Sequence, residues 1–399
     1  MDFTLSPDDI AFRQEVRAFF ERSVPPSLGR KVENGVRPSR EELVAWQRVL
    51  DDRGWAVPAW PVAHGGAGWS PLSRLIFQEE MFLANAPQPP SFGPTMIGPV
   101  LIAFGSEAQK ARFLPAIRRL DDWWCQGFSE PGAGSDLASL RTTALREGEE
   151  WVIEGQKTWT TYAQYADWIF VLARTDTAAK KQEGIGFFLV DMKSPGVSVR
   201  KILTMDGGHE VNEVWFDRVR VPAANLVGEP NRGWDYAKFL LANERTGIAR
   251  LGFTKERLRH LRHLARTERQ DGRPLSEDPR FAEQLAALEV EVKALEITQL
   301  RVAMADAKRG STARPDPASS ILKLKGTELQ QAATMMLMRL AAPYGMPDPT
   351  RLAGVNDPPE LPDFALHAPA QYLNWRKVSI YGGSNEIQRN ILAKAVLGL

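Results

Sequence analysis

Apolar positions in the first 120 residues recur three and four apart, the spacing of one face of an α-helix. Phe12, Val16, Phe19 and Phe20 follow Ser6-Pro7-Asp8-Asp9. A serine N-cap, a first-position proline and an acidic first turn open a helix there, and Pro25-Pro26 should stop it. Ser39 with Glu42 three residues on predicts a second start, carrying Leu43, Val44, Trp46, Val49 and Leu50 to a stop at Gly54. Further helical patterns fall near 71–84, 94–104 and 106–120, the last opened by Ser106 and Gln109 as a capping box. No strand pattern of similar strength precedes residue 120.

From Trp123 to about Val221 the period shortens. Runs rich in Val, Ile, Phe, Thr and Trp, such as 151–153, 168–172, 185–190 and 211–221, lie between turn signals and predict a small all-β module. From Gly233 the helical period returns, with long segments near 234–265, 278–309, 318–342 and 369–396. Helices, a β module and a helical bundle make an α+β chain, with no strand–helix alternation for a doubly wound sheet. Six prolines between 343 and 364 interrupt the last third. A loop of about 20 residues inside a bundle is functional or disordered.

Composition narrows the classes. The chain has 399 residues, 50 Lys+Arg against 49 Asp+Glu, and a formal charge of +1. That balance argues against a nucleic-acid partner, which would need a basic surface. It leaves room for small phosphorylated ligands held by local charge. The single Cys125 excludes an internal disulfide and Cys-rich metal sites. No run of about 18 apolar residues predicts a membrane span, and the first residues do not read as a signal peptide. A cytoplasmic protein is expected.

Common motifs are absent. Neither Gly132-Ala133-Gly134 nor Gly66-Ala67-Gly68 has the third glycine of a dinucleotide fingerprint. Gly127-Phe128-Ser129-Glu130-Pro131 misses the nucleophile elbow at its last position. His260 and His263 lie among Arg257, Arg259, Arg262 and Arg266, which reads as a solvated basic face rather than a metal site. Two segments have more to offer. Phe128 to Asp136 is rich in small and glycine residues, which suit a ligand edge or an anion, although a plain strand-to-turn connection fits the composition better. Gly155-Gln156-Lys157-Thr158-Trp159-Thr160-Thr161 alternates Trp and Thr, so an indole and a hydroxyl could meet a flat ring on a half-buried face; equally, it is simply a good strand.

Together with VPAANLVGE, NERTGIAR and IYGGSNEIQRN, the motifs SEPGAGSD and GQKTWTT resemble the acyl-CoA dehydrogenase family in order and spacing over essentially the whole chain. The likeness is greatest to the pimeloyl-CoA dehydrogenase large-subunit type, which includes bacterial enzymes for dicarboxylic or bulky acyl-CoAs. The resemblance implies an N-terminal all-α domain (1–121), a middle β-barrel or sandwich domain (122–229) and a C-terminal four-helix bundle (230–399). It implies FAD between the last two, with Phe128 and Ser129 at the pyrimidine edge, Trp159 against the isoalloxazine and Thr161 at flavin N5. Ser384 and Glu386 would lie near FAD, although the family often has Thr and Gln there, and Ser135 near the CoA.

In the family a carboxylate takes the α-proton and the β-hydrogen leaves as hydride to flavin N5. Most members place that Glu directly after Ile-Tyr; here the position is Gly382. A minority use an earlier Glu-Arg pair, which Glu244-Arg245 matches. Leu240, Leu241, Ile248 and Leu251 would surround Glu244 on one helical face, and burial beside an acyl chain raises a carboxylate pKa toward neutrality. The Gly382 N–H could still polarise the thioester carbonyl, and two successive glycines make room for a bulky acyl group. The segment 269–284 and the Pro-rich loop depart from the family's remaining FAD contacts. An oligomer is therefore expected, homomeric or paired with a second acyl-CoA dehydrogenase-like subunit, with an electron-transfer flavoprotein as acceptor. Two alternatives remain open: a scaffold subunit poor in FAD, and an oxygen-using flavoenzyme of the same fold.

Overall fold

The computed structural model describes residues 5–244, 249–309, 317–348, 352, 355–356 and 360–399, with side chains at all of these except 242–244 and 306–309. The N-terminal third is helical: α1 (Pro7–Ser23), α2 (Pro26–Glu33), α3 (Arg40–Asp52), α4 (Pro71–Leu83), α5 (Gly98–Phe104) and α6 (Glu107–Arg119). Ser6, Ser39 and Ser106 each close a capping box with the side chain three residues on, as the pattern predicts. The proline pair does more than stop α1. Pro26 starts α2, because a first-turn proline lacks only an N–H the helix would not use.

Seven strands then form one curled sheet: β1 (Trp124–Gly127), β2 (Thr143–Glu147), β3 (Glu150–Thr161), β4 (Trp168–Arg174), β5 (Ile185–Asp191), β6 (Val197–Ile202) and β7 (Val211–Pro222). Their order is β1-β4-β2-β3-β7-β6, with β5 also on β4. Strand alternation sorts β4 between two cores. Ile169, Val171 and Ala173 join a core inside the β module. Phe170 and Leu172 join a core that the sheet shares with α5, α6 and α7 (Gly233–Glu244).

The bundle is built from α8 (Leu251–Thr267), α9 (Pro279–Arg309), α10 (Ala318–Ala341) and α11 (Asp363–Asn374), which share a core including Leu258, Leu295, Leu329 and Phe364. Two helices expected to be continuous are broken. The 234–265 segment is α7 followed by α8, which begins after Arg250 in the left-handed region (φ 44°). Leu251 is therefore not on the α7 stripe that carries Leu240, and Ile248 lies outside the described residues. The 369–396 segment is α11, a short 3-10 turn (Trp375–Ser379), and α12 (Asn385–Leu392). Gly382 and Gly383 take φ of 65° and 81°, and Ser384 caps the restart. The Pro-rich stretch ends where α11 begins at Asp363; much of its middle lies outside the described residues.

The basic face around His260 is also corrected. His260 and Arg257 are turned inward, whereas His263 is exposed. Position along α8 divides them, because one side of that helix meets α2 and α11: Arg257 Nη1 donates to Gln371 Oε1, and Gln371 Nε2 to the Asn34 carbonyl.

Candidate active site

The first half of the site is a strand distortion. Between the pairs Lys157–Val214 and Thr160–Asn212, β3 carries one residue more than β7. This β-bulge puts Trp159 in the left-handed region (φ 59°) and leaves the residue 61% exposed. Regular alternation, as the sequence predicts, would have kept the indole on a half-buried face. Thr160 beside it is buried, and Thr161 is half-buried.

The Thr158 N–H inside the bulge donates to the Ser129 carbonyl (2.9 Å). Lys157 Nζ donates to the Phe128 carbonyl (3.2 Å) and to Glu130 Oε1 (2.7 Å). These bonds hold Phe128 and Ser129 against the stretch of β3 just before Trp159. The Phe128 ring itself is buried edge-on against Phe170 and Phe187, so its main chain is what remains to meet a ligand.

Glu130 and Lys157 are residues that motif reading passed over. Lys157 is fully buried and Glu130 nearly so, and the Glu130 carboxylate also accepts from the N–H groups of Arg141 (2.6 Å) and Thr142 (3.0 Å). Burial pushes the Lys157 ammonium down to about 8, with Glu130 opposing the shift. Burial also pushes the Glu130 carboxyl up, but Lys157 and the bonds from Thr142 and Arg141 outweigh it and hold it below its ordinary value. The one available signal was a lysine inside a strand pattern of Trp and Thr.

After Glu130 the chain reverses tightly, Glu130 and Ala133 exchanging backbone bonds of 3.0 Å. Nothing lies within 4 Å of where side chains at Gly132 or Gly134 would begin, and Ser135 is exposed on the loop beyond. This loop is open to a ligand.

The second half is the turn before α12. Gln388 Nε2 reaches the carbonyls of Gly382 (3.4 Å) and Gly383 (3.5 Å), while its Oε1 accepts from Ser320 Oγ (2.8 Å). Asn385 Oδ1 accepts from Lys323 Nζ (2.8 Å) and Thr327 Oγ1 (3.3 Å). Ser384 caps α12 and is half-buried; Glu386 points to solvent, its carboxyl lowered by first-turn backbone and Ser384 bonds.

Helix α10 ties this turn to Ala249, just ahead of α8. Lys323, Gly326, Thr327 and Gln330 share one face of α10. Gln330 Nε2 donates to the Ala249 carbonyl (2.9 Å), and a side chain at Gly326 would begin 2.7 Å from Ala249. Glu244 is the last residue of α7; its side chain and Arg245 lie outside the described residues. Elsewhere, Glu33, Glu256 and His260 bring ligand atoms within 4.8 Å of one another. Arg257 and Arg259 engage Glu256, so the group is an ion-paired joint between α2 and α8.

Comparison with known proteins specifies the class to which this arrangement of sheet, bundle and glycine turn belongs. Profiles described as the acyl-CoA dehydrogenase N-terminal, middle and C-terminal domains match residues 6–121, 125–219 and 231–397. The chain is 39% identical over 361 residues to the acyl-CoA dehydrogenase IpdE1 of Mycobacterium tuberculosis, covering 90% of this chain and 88% of that one. Among solved structures, the ChsE4-ChsE5 complex from Mycobacterium tuberculosis is similar at TM-score 0.81 and 30% identity, covering 100% of this chain and 99% of that one. A steroid ACAD, Tcur3481-Tcur3483, is similar at TM-score 0.85 and 29% identity, with the same coverage. The chain belongs to the acyl-CoA dehydrogenase family. It is an oxidoreductase of acyl-CoA thioesters, and members of this family are FAD-dependent flavoproteins.

The residues present fit that group. An indole held out to solvent at a bulge, a half-buried threonine two residues on and the nearby braced Phe128–Ser129 main chain are the kinds of group that meet a flat ring system. Among the described residues no helix is long and apolar enough to cross a membrane.

Proposed function

We propose that this enzyme converts an acyl-CoA to the trans-2-enoyl-CoA with Glu244 as the α-proton base. Bound FAD would supply the acceptor for the β-hydrogen. Trp159, Thr161, Phe128 and Ser129 would hold the flavin ring, with Ser384 and Glu386 toward its far side and Ser135 toward the CoA. The Gly382 N–H would polarise the thioester carbonyl and lower the charge cost of the enolate-like state. Arg245 would accompany the base.

The observation that carries this reading is the shared face of α10. It holds both the glycine turn, which lacks a carboxylate, and Ala249, five residues past the end of α7. The contact at Ala249 supports a base at the end of α7 acting near this turn. Units of 1–121, 122–229 and 230–399 divide these roles. The similar steroid ACAD and the ChsE4-ChsE5 complex support a bulky acyl group and an assembly with a second acyl-CoA dehydrogenase-like subunit, and an electron-transfer flavoprotein fits as acceptor.

Glu244→Gln tests the base. Anaerobic bleaching of the bound flavin by an acyl-CoA should slow by about 10²–10⁴-fold, the range for losing a general base, with FAD content unchanged. Bleaching at the parental rate would refute the assignment.

A further inference from the structure

The two halves of the site belong to different parts of the chain, and one ion-pair group spans them. Glu210 stands at the end of the loop entering β7. Its backbone carbonyl accepts from the Tyr162 N–H (2.7 Å), the residue after Thr161. Its carboxylate pairs with Lys377 and with Arg37 Nη2 (2.9 Å). Arg37 Nη2 also meets Asp206 Oδ2 (2.9 Å), which accepts in turn from Asn374 Nδ2 (2.9 Å). Lys377 in turn offers its own carbonyl to the N–H groups of Ile380 (2.9 Å) and Tyr381 (3.2 Å), closing the turn that delivers Gly382. An unbroken series of contacts therefore runs from Thr161 through Glu210 and Lys377 to Gly382.

The surroundings make this connection matter. Glu210 is 8% exposed, and its pairs with the half-buried Lys377 and Arg37 are partly shielded from water, so they orient one another. Arg37 comes from the helical N-terminal part, Glu210 and Asp206 from the β module, and Lys377 and Asn374 from the bundle. Two glycines with left-handed φ give the 380–384 turn little stiffness of its own. From inside the bundle, the carbonyls of Gly382 and Gly383 receive long bonds from the Gln388 side chain.

We propose that the Glu210–Lys377 pair, braced by Arg37, is a positioning contact that sets the spacing between the flavin-facing end of β3 and the Gly382 N–H. It rests on the dehydrogenase reading above. Neither residue touches substrate; each acts through the main chain beside it.

The test compares FAD-loaded wild type with Lys377→Met, Lys377→Arg, Glu210→Gln and the double variant Lys377→Met/Glu210→Gln. Amide hydrogen exchange across 380–382 is one readout. The limiting rate and half-saturation of anaerobic flavin bleaching by octanoyl-CoA and cyclohexanecarbonyl-CoA are the other. Lys377→Met and Glu210→Gln should speed exchange at Ile380 and Tyr381 and lower the limiting rate about tenfold, with half-saturation little changed, as expected for misplacement by a fraction of an ångström. Lys377→Arg should recover most of both losses, and the double variant should be no worse than either single one. Parental exchange and rate in both single variants, or an arginine variant as defective as the methionine one, would overturn the proposal. If neither thioester bleaches the wild type, the dehydrogenase reading is what fails, and the exchange data still decide the positioning contact. If Lys377→Met does not fold, Glu210→Gln examines the same pair from the other side.

Discussion

At the scale of single residues, the site depends on a few side chains in unfavourable situations. Lys157 has none of its surface exposed, and among the described residues its one charged partner is Glu130 at 2.7 Å. Removing one member of such a pair leaves a buried charge unbalanced, at a cost of about 3–5 kcal/mol. Lys157→Met should lower stability by that amount in urea unfolding, and Glu130→Gln by somewhat less, since the amide keeps an acceptor for Lys157. Trp159 is different, because its ring packs on little and its φ of 59° is one that L residues adopt reluctantly. Trp159→Ala should leave the unfolding of the FAD-free chain unchanged while weakening FAD binding up to about tenfold, the value of one stacking contact. A large drop in unfolding temperature without FAD would show that the indole serves the fold. Gly382 resists the same treatment: at φ 65° any side chain strains the turn as well as filling space.

At the scale of elements, α10 organises the bundle side of the site. Its glycine looks like a weak point in a helix, worth about 1 kcal/mol against alanine on propensity alone. Packing reverses that reading. A side chain at Gly326 would begin 2.7 Å from both the Cα and the carbonyl oxygen of Ala249, which are main-chain atoms that cannot rotate away. Gly326→Val should therefore destabilise by about 1–3 kcal/mol, as overpacking does. It should also slow flavin bleaching more than this stability loss explains, by displacing the segment that follows Glu244. Stability lost with the bleaching rate intact would separate α10 from the catalytic geometry.

At the scale of the whole molecule, carboxylates join the parts. The Glu33 carboxyl is lowered chiefly by its bond to His260, linking α2 to α8. Burial raises Asp206, Glu130 and Glu296, but in each case the bonded and charged partners win, and all three lie below their ordinary values. Asp206 serves the joint at Arg37 and Asn374, Glu130 the bulge, and Glu296 the Lys255 link that also reaches Glu79 on α4. A carboxyl whose folded pKa is depressed stabilises the fold above its unfolded value and loses that contribution as pH falls through the folded one. Calorimetry should accordingly find the unfolding temperature falling steeply as pH drops below 4.5, the ordinary glutamate value. The drop should be shallower in Glu130→Gln; an equal slope would remove Glu130 from the account.

The sequence by itself determined most of the elements and the order of the parts. Serine caps, proline positions and the change of period from helix to strand are local, so Ser6, Ser39 and Ser106 could be read without neighbours. It also pointed to the candidate cofactor and turn motifs, through their resemblance to a family. Contacts between distant residues it could not supply. The break between α7 and α8, the bulge at Trp159, the Glu130–Lys157 pair across 27 positions and the Glu210–Lys377 joint exist only once the parts have packed. Each depends on burial and on a partner far along the chain, and neither quantity is written in a local pattern.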